Sequence, residues 1–506
     1  MAPHRYSIDI QQFSVTETCN GGMFTKQTLK TMVKKIFTFI LLCVVLEFPM
    51  QVFAQTIYTY TDAAGVTWSY KLNGTNATLS RPANEWVNGV PQPLMGWGDG
   101  SEHHQGTATG VITIPATVSD GANTYPVVGI EDRVFMDNGA KGFVFAPTAT
   151  LTALGQRLWQ TYFQTDMQFL DMTGINSSVT YPKQYYTGTP YPIGRNVVGG
   201  TFYRIAASIL VYLPNGTSRS LFTTEMSTTA ASGEETIDIN FIIDGVCSYF
   251  KVYDQNISDL GSMFYKTKTH SVYVPHAFTA VKAEYDRVFS NIAGKSVSTL
   301  YLPYPTDLPT GMQAYRLIRK GTDENGDNAF CFSPIPLGTR LQANHPYLVR
   351  ITDGQTHKLP VMHNVQVPAT PAITTTAQTT ADGNWAFYGT TETINNAAAT
   401  AMNAYYLNGN KWWAVQNGVE NDYIAAYRCF VSSPTGATPA KSFFMVIEDE
   451  NVTPTDIRRL ERDTEKELKS GRHTFYSIDG KRIGSDYDAL TRGQIYVVNG
   501  KKFYKF

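Results

Sequence analysis

Apolar and polar residues alternate in short runs over most of this 506-residue chain. Residues 57–60 and 66–70 alternate strictly, with a turn between them at 62–65. Alternation around Gly- and Asn-containing turns is typical of β-hairpins, so the chain is expected to open with a β-meander. We interpret residues 84–108, which are rich in Gly and Trp, as a long surface loop. The apolar run at 111–115 follows this loop and predicts that β structure resumes there.

Residues 127–174 nearly repeat themselves. The run at 130–135 (IEDRVF) is matched 24 residues later at 154–159 (LGQRLW), and the run at 143–145 (FVF) returns about 25 residues on at 169–170 (FL). A recurrence of this length lies in the range of leucine-rich repeats, in which each unit is a strand plus a turn or helix. Such units bury their apolar sides by stacking and leave an extended face, which predicts a binding surface.

Three runs carry a family resemblance: VITIP at 111–115, YPVVGI at 125–130 and VF at 134–135. They resemble the BspA-type leucine-rich repeat of bacterial surface proteins, whose unit reads VTIP…YxVtxIgxxAF. The chain departs from that unit at Val134, where Ala is usual, and only two units are evident. The resemblance implies a short, degenerate repeat domain that binds host or matrix proteins. An irregular β-domain is the other interpretation of the same residues.

A second β-rich stretch covers residues 233–453. It contains nine or so short apolar runs, several of them separated by Asp-Gly or Asn-Gly turns at 353–354, 382–383 and 408–409. Strands of this number and spacing predict a β-sandwich. The phrase LYLPYP at 300–305 also resembles a β-sandwich module found in secreted proteins that carry such repeats.

The C-terminal residues contain two further turn signals, DG at 479–480 and NG at 499–500. Asn-Gly between alternating runs favours a type I′ hairpin, because both residues tolerate positive φ. Residues 493–498, with the lysines at 501–502, resemble the C-terminal domain of proteins exported by the type IX secretion route. That resemblance implies contact between the tail and the secretion machinery, and a plain accessory hairpin is the alternative.

A secretory signal is expected near the N-terminus. Two lysines at 34–35 precede an apolar run at 36–46, and the small residue Ala54 precedes Gln55. The run is too short to cross a bilayer, so it reads as a signal peptide cleaved after Ala54. We therefore take Met32 as the initiator and expect a secreted or surface-attached protein without a transmembrane span in the mature chain.

Together these patterns predict a mainly β protein. A short leucine-rich-repeat-like domain is followed by a β-sandwich and a small C-terminal β-hairpin domain. The expected segments are an upstream extension (1–31), the signal peptide (32–54), the β-meander with the repeat-like domain (55–232), the β-sandwich (233–453), a charged linker (454–473) and the C-terminal tail (474–506).

The charge balance and the cysteine content argue against some classes of partner and site. Lys and Arg number 41 against 42 for Asp and Glu, so nothing favours nucleic acid as a partner. After signal cleavage only Cys247, Cys331 and Cys429 remain. Their number and spacing fit neither a disulfide framework nor a zinc site, and we predict that they are buried small apolar residues.

Catalytic motifs are missing from the sequence: it holds no activated-serine motif, no His-Glu-x-x-His and no phosphate loop. His103-His104 form at most half a metal site. The acidic run from Asp323 to Asn328 departs from the calcium-loop pattern and predicts a polar hairpin turn. We therefore expect no cofactor and no enzyme activity, although carboxylates paired in space, with Asp244 as one candidate, leave a glycan-active enzyme open.

Aromatic residues supply the remaining candidates. Trp86, Trp97 and Trp412 are candidate ligand-binding residues, because exposed aromatic rings stack on sugars; the alternative is that they fill the core. The leading hypothesis is a non-enzymatic binding or adhesion protein that uses its repeat-like face on an extracellular host or matrix protein, or on a glycan. The alternatives are a carbohydrate-binding accessory protein and a secreted glycan-active enzyme.

Overall fold

The structure is a computed structural model. It describes residues 55–83, 86–87, 90–91, 106–160, 167–182, 185–186, 189–190, 200–202, 205, 209–219, 240–254, 271–291, 296–323, 325–419, 422–433, 440–448, 468–469, 473–477, 479–491, 494–498 and 501–505. All but Gln55 belong to one unit, Thr56–Phe506. The predicted extension (1–31) and signal peptide (32–54) lie outside the described residues, as does nearly all of the predicted linker (454–473).

Strands dominate the described residues, as the sequence predicts. The helices and strands, in chain order, are β1 Ile57–Thr61, β2 Thr67–Asn73, β3 Asn76–Leu79, β4 Trp86–Val87, β5 Val90–Pro91, β6 Val111–Ile114, β7 Thr117–Ser119, β8 Thr124–Ile130, β9 Gly142–Phe145, β10 Phe169–Asp171, β11 Tyr185–Tyr186, β12 Thr189–Pro190, β13 Leu210–Tyr212, β14 Asn240–Ile243, β15 Val246–Cys247, β16 Phe250–Val252, β17 Phe278–Tyr285, β18 Val288–Phe289, β19 Val297–Leu300, β20 Met312–Thr322, β21 Asn328–Pro334, β22 Tyr347–Ile351, β23 His357–Lys358, β24 Met362–Val367, β25 Gln378–Thr379, β26 Ala386–Thr390, α1 Asn396–Ala401, β27 Ala404–Asn408, β28 Lys411–Ala414, β29 Arg428–Ser432, β30 Ser442–Ile447, β31 Phe475–Tyr476, β32 Arg482–Gly484, β33 Gln494–Val498 and β34 Lys501–Lys505.

The first sheet has the order β1-β2-β3-β8-β7 and confirms the predicted opening meander. The turn between β1 and β2 forms because Asp62 Oδ1 accepts the backbone N–H groups of Ala64 and Val66, each at 2.9 Å. Inside the predicted loop 84–108, β4 and β5 pair as a short antiparallel hairpin, which the Gly-rich composition did not predict. No described helix is both long enough and apolar enough to cross a membrane.

A parallel stack follows the opening sheet. The strands β6, β9, β10, β13 and β14 pair side by side in one direction. One residue from each faces the same interior, and the five stack in register: Ile112, Phe143, Leu170, Val211 and Phe241. All are buried, and burying such a side chain contributes about 1.5–3 kcal/mol relative to exposure. The stack is therefore built as repeats are, with each strand burying its apolar side against its neighbours.

Five strands enter this stack, whereas the sequence showed two units. Phe143 pairs with Leu170, so the two strands are offset by 27 residues. The expected match of Phe143 to Phe169 is therefore wrong by one residue. A one-residue slip turns a side chain to the opposite face, and Phe169 accordingly points away from the interior. The predicted boundary at 232/233 falls between β13 and β14, which pair; the division into domains stays a prediction.

The repeated hexapeptides adopt the same backbone. Arg133 and Arg157, at equivalent positions, both have left-handed φ, 60° and 53°. The two turns stack directly, because Phe135 N–H donates to the Leu158 carbonyl at 3.0 Å. The rings of Phe135 and Trp159 stack at 5.8 Å, and Phe202 continues the column at 6.0 Å from Trp159. Phe202 thus marks a third turn, which the 24-residue spacing did not reveal.

The predicted β-sandwich is wrong. Ten strands of the second module form a single sheet, β19-β22-β20-β21-β30-β28-β27-β29-β26-β25. The parallel pairing of β21 with β30 joins what would otherwise be two sheets. The sheet curls on itself: Gln378, on the last strand, accepts the Leu317 N–H at 3.0 Å and donates to the Pro346 carbonyl at 2.8 Å. Aromatic rings fill the inside of the curl, with Phe330 and Phe443 stacked at 4.4 Å.

The C-terminal residues form a four-stranded sheet, β32-β31-β33-β34, with its own small core. The hairpin of β33 and β34 is confirmed, and its turn residues 499–500 lie outside the described part. Lys505 is buried, and its Nζ donates to the Tyr487 carbonyl at 2.8 Å. The same Nζ lies 3.5 Å from the centre of the Tyr487 ring. The tail is therefore a packed β module that includes the penultimate residue of the chain.

Candidate binding face

The outward face of the parallel stack is where repeat proteins present a binding surface. Two columns of residues point outward. The first consists of Val111, Gly142, Phe169, Leu210 and Asn240, and the second of Thr113, Val144, Asp171, Tyr212 and Ile242. Exposure changes along both columns, because the residues on β6 are exposed and those on β10, β13 and β14 are buried. Later segments of the same chain cover the buried part.

Aromatic rings cover the first outward column. The ring of Phe169 lies over Gly142, where an added Cβ would come within 2.4 Å of the ring, so glycine is the residue that fits beneath it. Tyr273 then packs on Phe169 at 5.6 Å between ring centres. Lys141 Nζ lies 4.1 Å from the centre of the Tyr273 ring, close enough for a cation–π contact. The segment that contains Tyr273 therefore closes this part of the face.

An ion pair fastens the same cover. Lys141 Nζ lies 2.7 Å from a carboxylate oxygen of Glu392, and the Gln168 amide donates to the same carboxylate at 2.9 Å. The side chains of Lys141 and Glu392 are 29% and 30% exposed. Partly exposed pairs of this kind contribute little stability, on the order of 0–1 kcal/mol. Their effect is positional: they hold the loop after β26 against β9 and β10.

A second set of contacts covers the second outward column, at β10 and β13. Asp171, which is buried, has Oδ2 2.8 Å from His276 Nε2, and its Oδ1 accepts the Thr173 hydroxyl and backbone N–H. Tyr212 donates its hydroxyl to the His276 carbonyl at 2.7 Å. The buried carboxylate is thus fully engaged, and the imidazole above it is held in one orientation while its side chain stays 59% exposed.

What remains open is a small apolar surface on the first two strands, which we call the open face: Val111, Thr113 and Val144. Val111 is 49% exposed, whereas Leu210, in the same column, is fully buried. Val144 is half-buried and borders the cover. Among the described residues, β6 pairs only with β9, so one side of this strand offers backbone groups to a partner. The repeat-like face expected from the sequence is therefore open on β6 and only partly open, at Val144, on β9.

Trp412 does not bind an external ligand in this fold, which corrects one sequence-based candidate. It is fully buried inside the curled sheet, stacked on Phe332 at 5.9 Å and edge-on to Phe387 at 5.8 Å. Alternation on β28 sends this ring into the aromatic core. The backbone of Trp86 lies in β4, but its side chain and the whole of Trp97 lie outside the described residues.

The remaining candidates have ordinary structural roles where they are described. Asp323 Oδ1 accepts the N–H groups of Asn325 and Asp327, so the run between β20 and β21 is a polar hairpin turn, as predicted. Asp244 accepts the Gly216 N–H at 2.8 Å. His103 and His104 lie outside the described residues, and no group of three or more metal-ligating side chains occurs in the described part.

The three cysteines among the described residues are buried and unpaired, which confirms the prediction for them. Burial raises the pKa of Cys247, Cys331 and Cys429 to about 12 in each case. A thiol with so high a pKa is almost entirely protonated at neutral pH and is a poor nucleophile. These cysteines therefore act as small apolar core residues.

A cluster of charged and hydroxyl side chains lies where the two large sheets meet. Arg428 on β29 binds Asp254, which follows β16, and Tyr285 on β17 donates its hydroxyl to the same carboxylate. Arg287 donates to the Thr299 carbonyl at 2.9 Å and lies 3.8 Å from Asp254. The donors and acceptors named here are engaged with one another, so the cluster joins the two sheets.

Sequence reasoning missed the residues that shape the face. Tyr273 and His276 lie more than 100 residues after β9 and β10 in the chain, and no periodic signal connects them. Gly142 offered the one local clue, because a glycine inside a strand often marks a close approach by another group.

Comparison with protein families found no match, and comparison with curated proteins found none either. Among solved structures, the chain is similar to a leucine-rich cell surface protein from Faecalibacterium prausnitzii A2-165, with 13% sequence identity and a TM-score of 0.16. The similarity covers 56% of this chain and 66% of that one, just under two thirds of its length. It is distant, and the fold described above rests on strand pairing.

Proposed function

We propose that this protein is a non-enzymatic binding protein of the cell surface or extracellular space, and that it engages a partner protein through the open face. One observation carries the proposal: the outward columns are covered by the chain itself from β10 onward but leave Val111 and Thr113 exposed on β6. Val111 lies on a strand whose second edge is unpaired among the described residues, which suits a partner that adds an extended segment to the sheet.

The partner class follows from this surface. Backbone pairing supplies affinity without a demanding sequence, and the apolar pair Val111 and Val144 favours apolar side chains on the added segment. The open face is small, so it suits a weak or transient contact that gains strength when many copies act together. With the resemblance to BspA-type repeats, these features support an extracellular host or matrix protein as partner.

Export supports the same function. The signal-like residues 32–54 and the packed C-terminal sheet agree with a secreted protein whose tail contacts a type IX secretion machinery. Mass spectrometry of both termini of the native protein tests this. We expect a mature chain beginning at Gln55 on the cell surface or in the medium. A chain that retains residues 32–54 and stays inside the cell would contradict it.

The alternative functions have less support from the described residues. Carbohydrate binding through Trp412 is incompatible with its burial inside the curled sheet. Among the carboxylates weighed for glycan hydrolysis, Asp244 is described, and it binds a backbone N–H in a turn. We therefore place protein binding first.

The experiment uses immobilised purified extracellular-matrix proteins and the mature chain in solution. The wild type is expected to bind at least one of them. The double variant Val111→Arg, Thr113→Arg places two charges on the open face and should lower affinity at least about tenfold, since desolvating a charge at an apolar contact is costly.

Val288→Arg is the matched control. Val288 is also 49% exposed and begins a strand, β18, but it is not part of the open face. We expect the control to bind like the wild type. Equal binding by all three proteins would overturn the open face as the site, and the absence of binding to any matrix protein would overturn the partner class.

A further inference from the structure

A second surface lies on the opening sheet, and none of the residues that form it belongs to the open face. Three tyrosines from different strands meet there: Tyr58 on β1, Tyr70 on β2 and Tyr125 on β8. Tyr58 and Tyr70 stack at 5.6 Å with 27° between their planes, and Tyr125 lies 6.5 Å from Tyr70. Tyr58 is 37% exposed and lies on an edge strand, so part of its ring faces solvent.

A fixed carboxylate borders these rings. Asp120, in the turn between β7 and β8, accepts the N–H groups of Ala122 at 2.9 Å and Asn123 at 2.7 Å through Oδ1. Its Oδ2 accepts the Tyr125 hydroxyl at 2.7 Å. The hydrogen bond from Tyr125 and those from the turn lower the pKa of Asp120 to about 2, so this group stays anionic in ordinary conditions. A strong acceptor is thus held in place at the edge of an aromatic surface.

One polar atom in this group has no partner among the described residues. The Tyr70 hydroxyl is buried, in a residue with no exposed surface, and makes no hydrogen bond to them. Burial, together with the charge of Asp120, raises the pKa of this hydroxyl, so it remains a neutral donor. Leaving such a group unsatisfied costs about 1–3 kcal/mol.

We propose that Tyr58, Tyr125 and Asp120 form a saccharide-binding site. A sugar ring has an apolar C–H face that stacks on a flat aromatic ring and equatorial hydroxyls that need acceptors and donors at its rim. Tyr58 supplies the ring. Asp120 supplies the acceptor for the sugar hydroxyls, and the Tyr125 hydroxyl adjoins this carboxylate at 2.7 Å.

The ring arrangement distinguishes this site from one for a cation. A cage for an ammonium group needs ring faces that surround it, as in the recognition of methylated lysine. Here Tyr58 and Tyr70 lie nearly parallel against each other, so one face of Tyr58 is occupied and no enclosure forms between the two rings. A single accessible ring beside hydrogen-bonding groups suits a neutral, flat, hydroxyl-rich ligand. This site is independent of the protein-binding function proposed for the open face.

An array of defined bacterial, plant and mucin-type oligosaccharides tests the proposal, followed by affinity electrophoresis in gels that contain the polysaccharide matching the strongest signal. The wild type should be retained. Tyr58→Ala should weaken retention at least about tenfold because the stacking ring is lost, whereas Tyr58→Trp should keep it. Asp120→Asn and Tyr125→Phe should each weaken it by several-fold.

Tyr423→Ala is the matched control, because Tyr423 is 44% exposed and lies outside this site; it should be retained like the wild type. Thermal unfolding of each variant shows whether the opening sheet is intact, and Tyr58→Trp provides a folded variant with an aromatic ring. Failure of the wild type to bind any saccharide, or equal retention of Tyr58→Ala and the wild type, would overturn the proposal. Neither result would affect the open face.

Discussion

Arg428 holds Asp254 with both guanidinium ends, through contacts of 2.7 Å from Nη1 to Oδ1 and 3.0 Å from Nη2 to Oδ2. The two residues are 174 apart in sequence and belong to different sheets, so the pair joins the nine-stranded sheet to the curled one. Their side chains are 17% and 18% exposed. A bidentate pair in such a setting fixes both distance and angle between its elements.

The first prediction concerns this pair. Arg428→Met should lower the free energy of unfolding by about 3–5 kcal/mol, because it leaves a carboxylate that is only 18% exposed without its main partner. Urea unfolding followed by tryptophan fluorescence measures the change. Arg340→Met is the control, since Arg340 makes the same two-fold contact with Asp307 but at an exposed position. Its loss should be far smaller, and equal losses would contradict the buried role of Arg428.

The second prediction concerns the stability of the fold at low pH. Burial acts to raise the pKa of Asp254, but the hydrogen bond and charge of Arg428, the charge of Arg287 and the hydrogen bond of Tyr285 outweigh it and hold the pKa below its ordinary value. The folded chain therefore binds fewer protons at this site than the unfolded chain. The stabilisation is complete above the unfolded pKa of about 3.9 and is lost as pH falls through the folded pKa.

Free energies of unfolding measured from neutral pH down to about pH 3 check this linkage. The wild type should lose stability steeply below about pH 4, and Asp254→Asn, although less stable at neutral pH, should show a shallower slope there. Parallel slopes for the two proteins would show that Asp254 does not carry the acid sensitivity.

The third prediction concerns the repeated turns. A Cβ on Gly155 would lie 2.4 Å from the Glu131 backbone, where the two hexapeptide turns stack. Gly155→Ala must push two backbones apart and should cost about 1–3 kcal/mol or more. At Gly129 the nearest atom is a Thr78 methyl at 3.5 Å, an ordinary contact, so Gly129→Ala should be nearly neutral. Thermal unfolding distinguishes the two, and equal effects would contradict the close stacking.

Local pattern predicted the elements well. Alternation gave the opening hairpins, and the match of 130–135 to 154–159 gave two turns that stack through Phe135 and Trp159. Turn chemistry gave the hairpin at Asp323. In each case the signal lies within a few residues or within one repeat, which is the range over which backbone preference and periodicity act.

Long-range pairing was the part that local pattern did not predict. Nine short strands suit a sandwich or a curled sheet equally, and the parallel pairing of β21 with β30 decides between them. The same limit applies to the site. The exposure of Val111 depends on where Tyr273 and His276 settle, and the burial of Trp412 depends on which face of β28 turns inward.

The fourth prediction tests the central claim, that the outward face of the parallel stack is open at β6 and closed from β10 onward. Val111→Cys and Leu210→Cys place a thiol in the same outward column of the chain from Gln55 onward, whose three native cysteines are buried and give little background. The measurement is the rate at which a maleimide labels each folded variant. We predict that Val111→Cys reacts at least about tenfold faster, because labelling at Leu210 requires local opening. Equal rates would show that the face is open, or closed, along its whole length and would contradict the account.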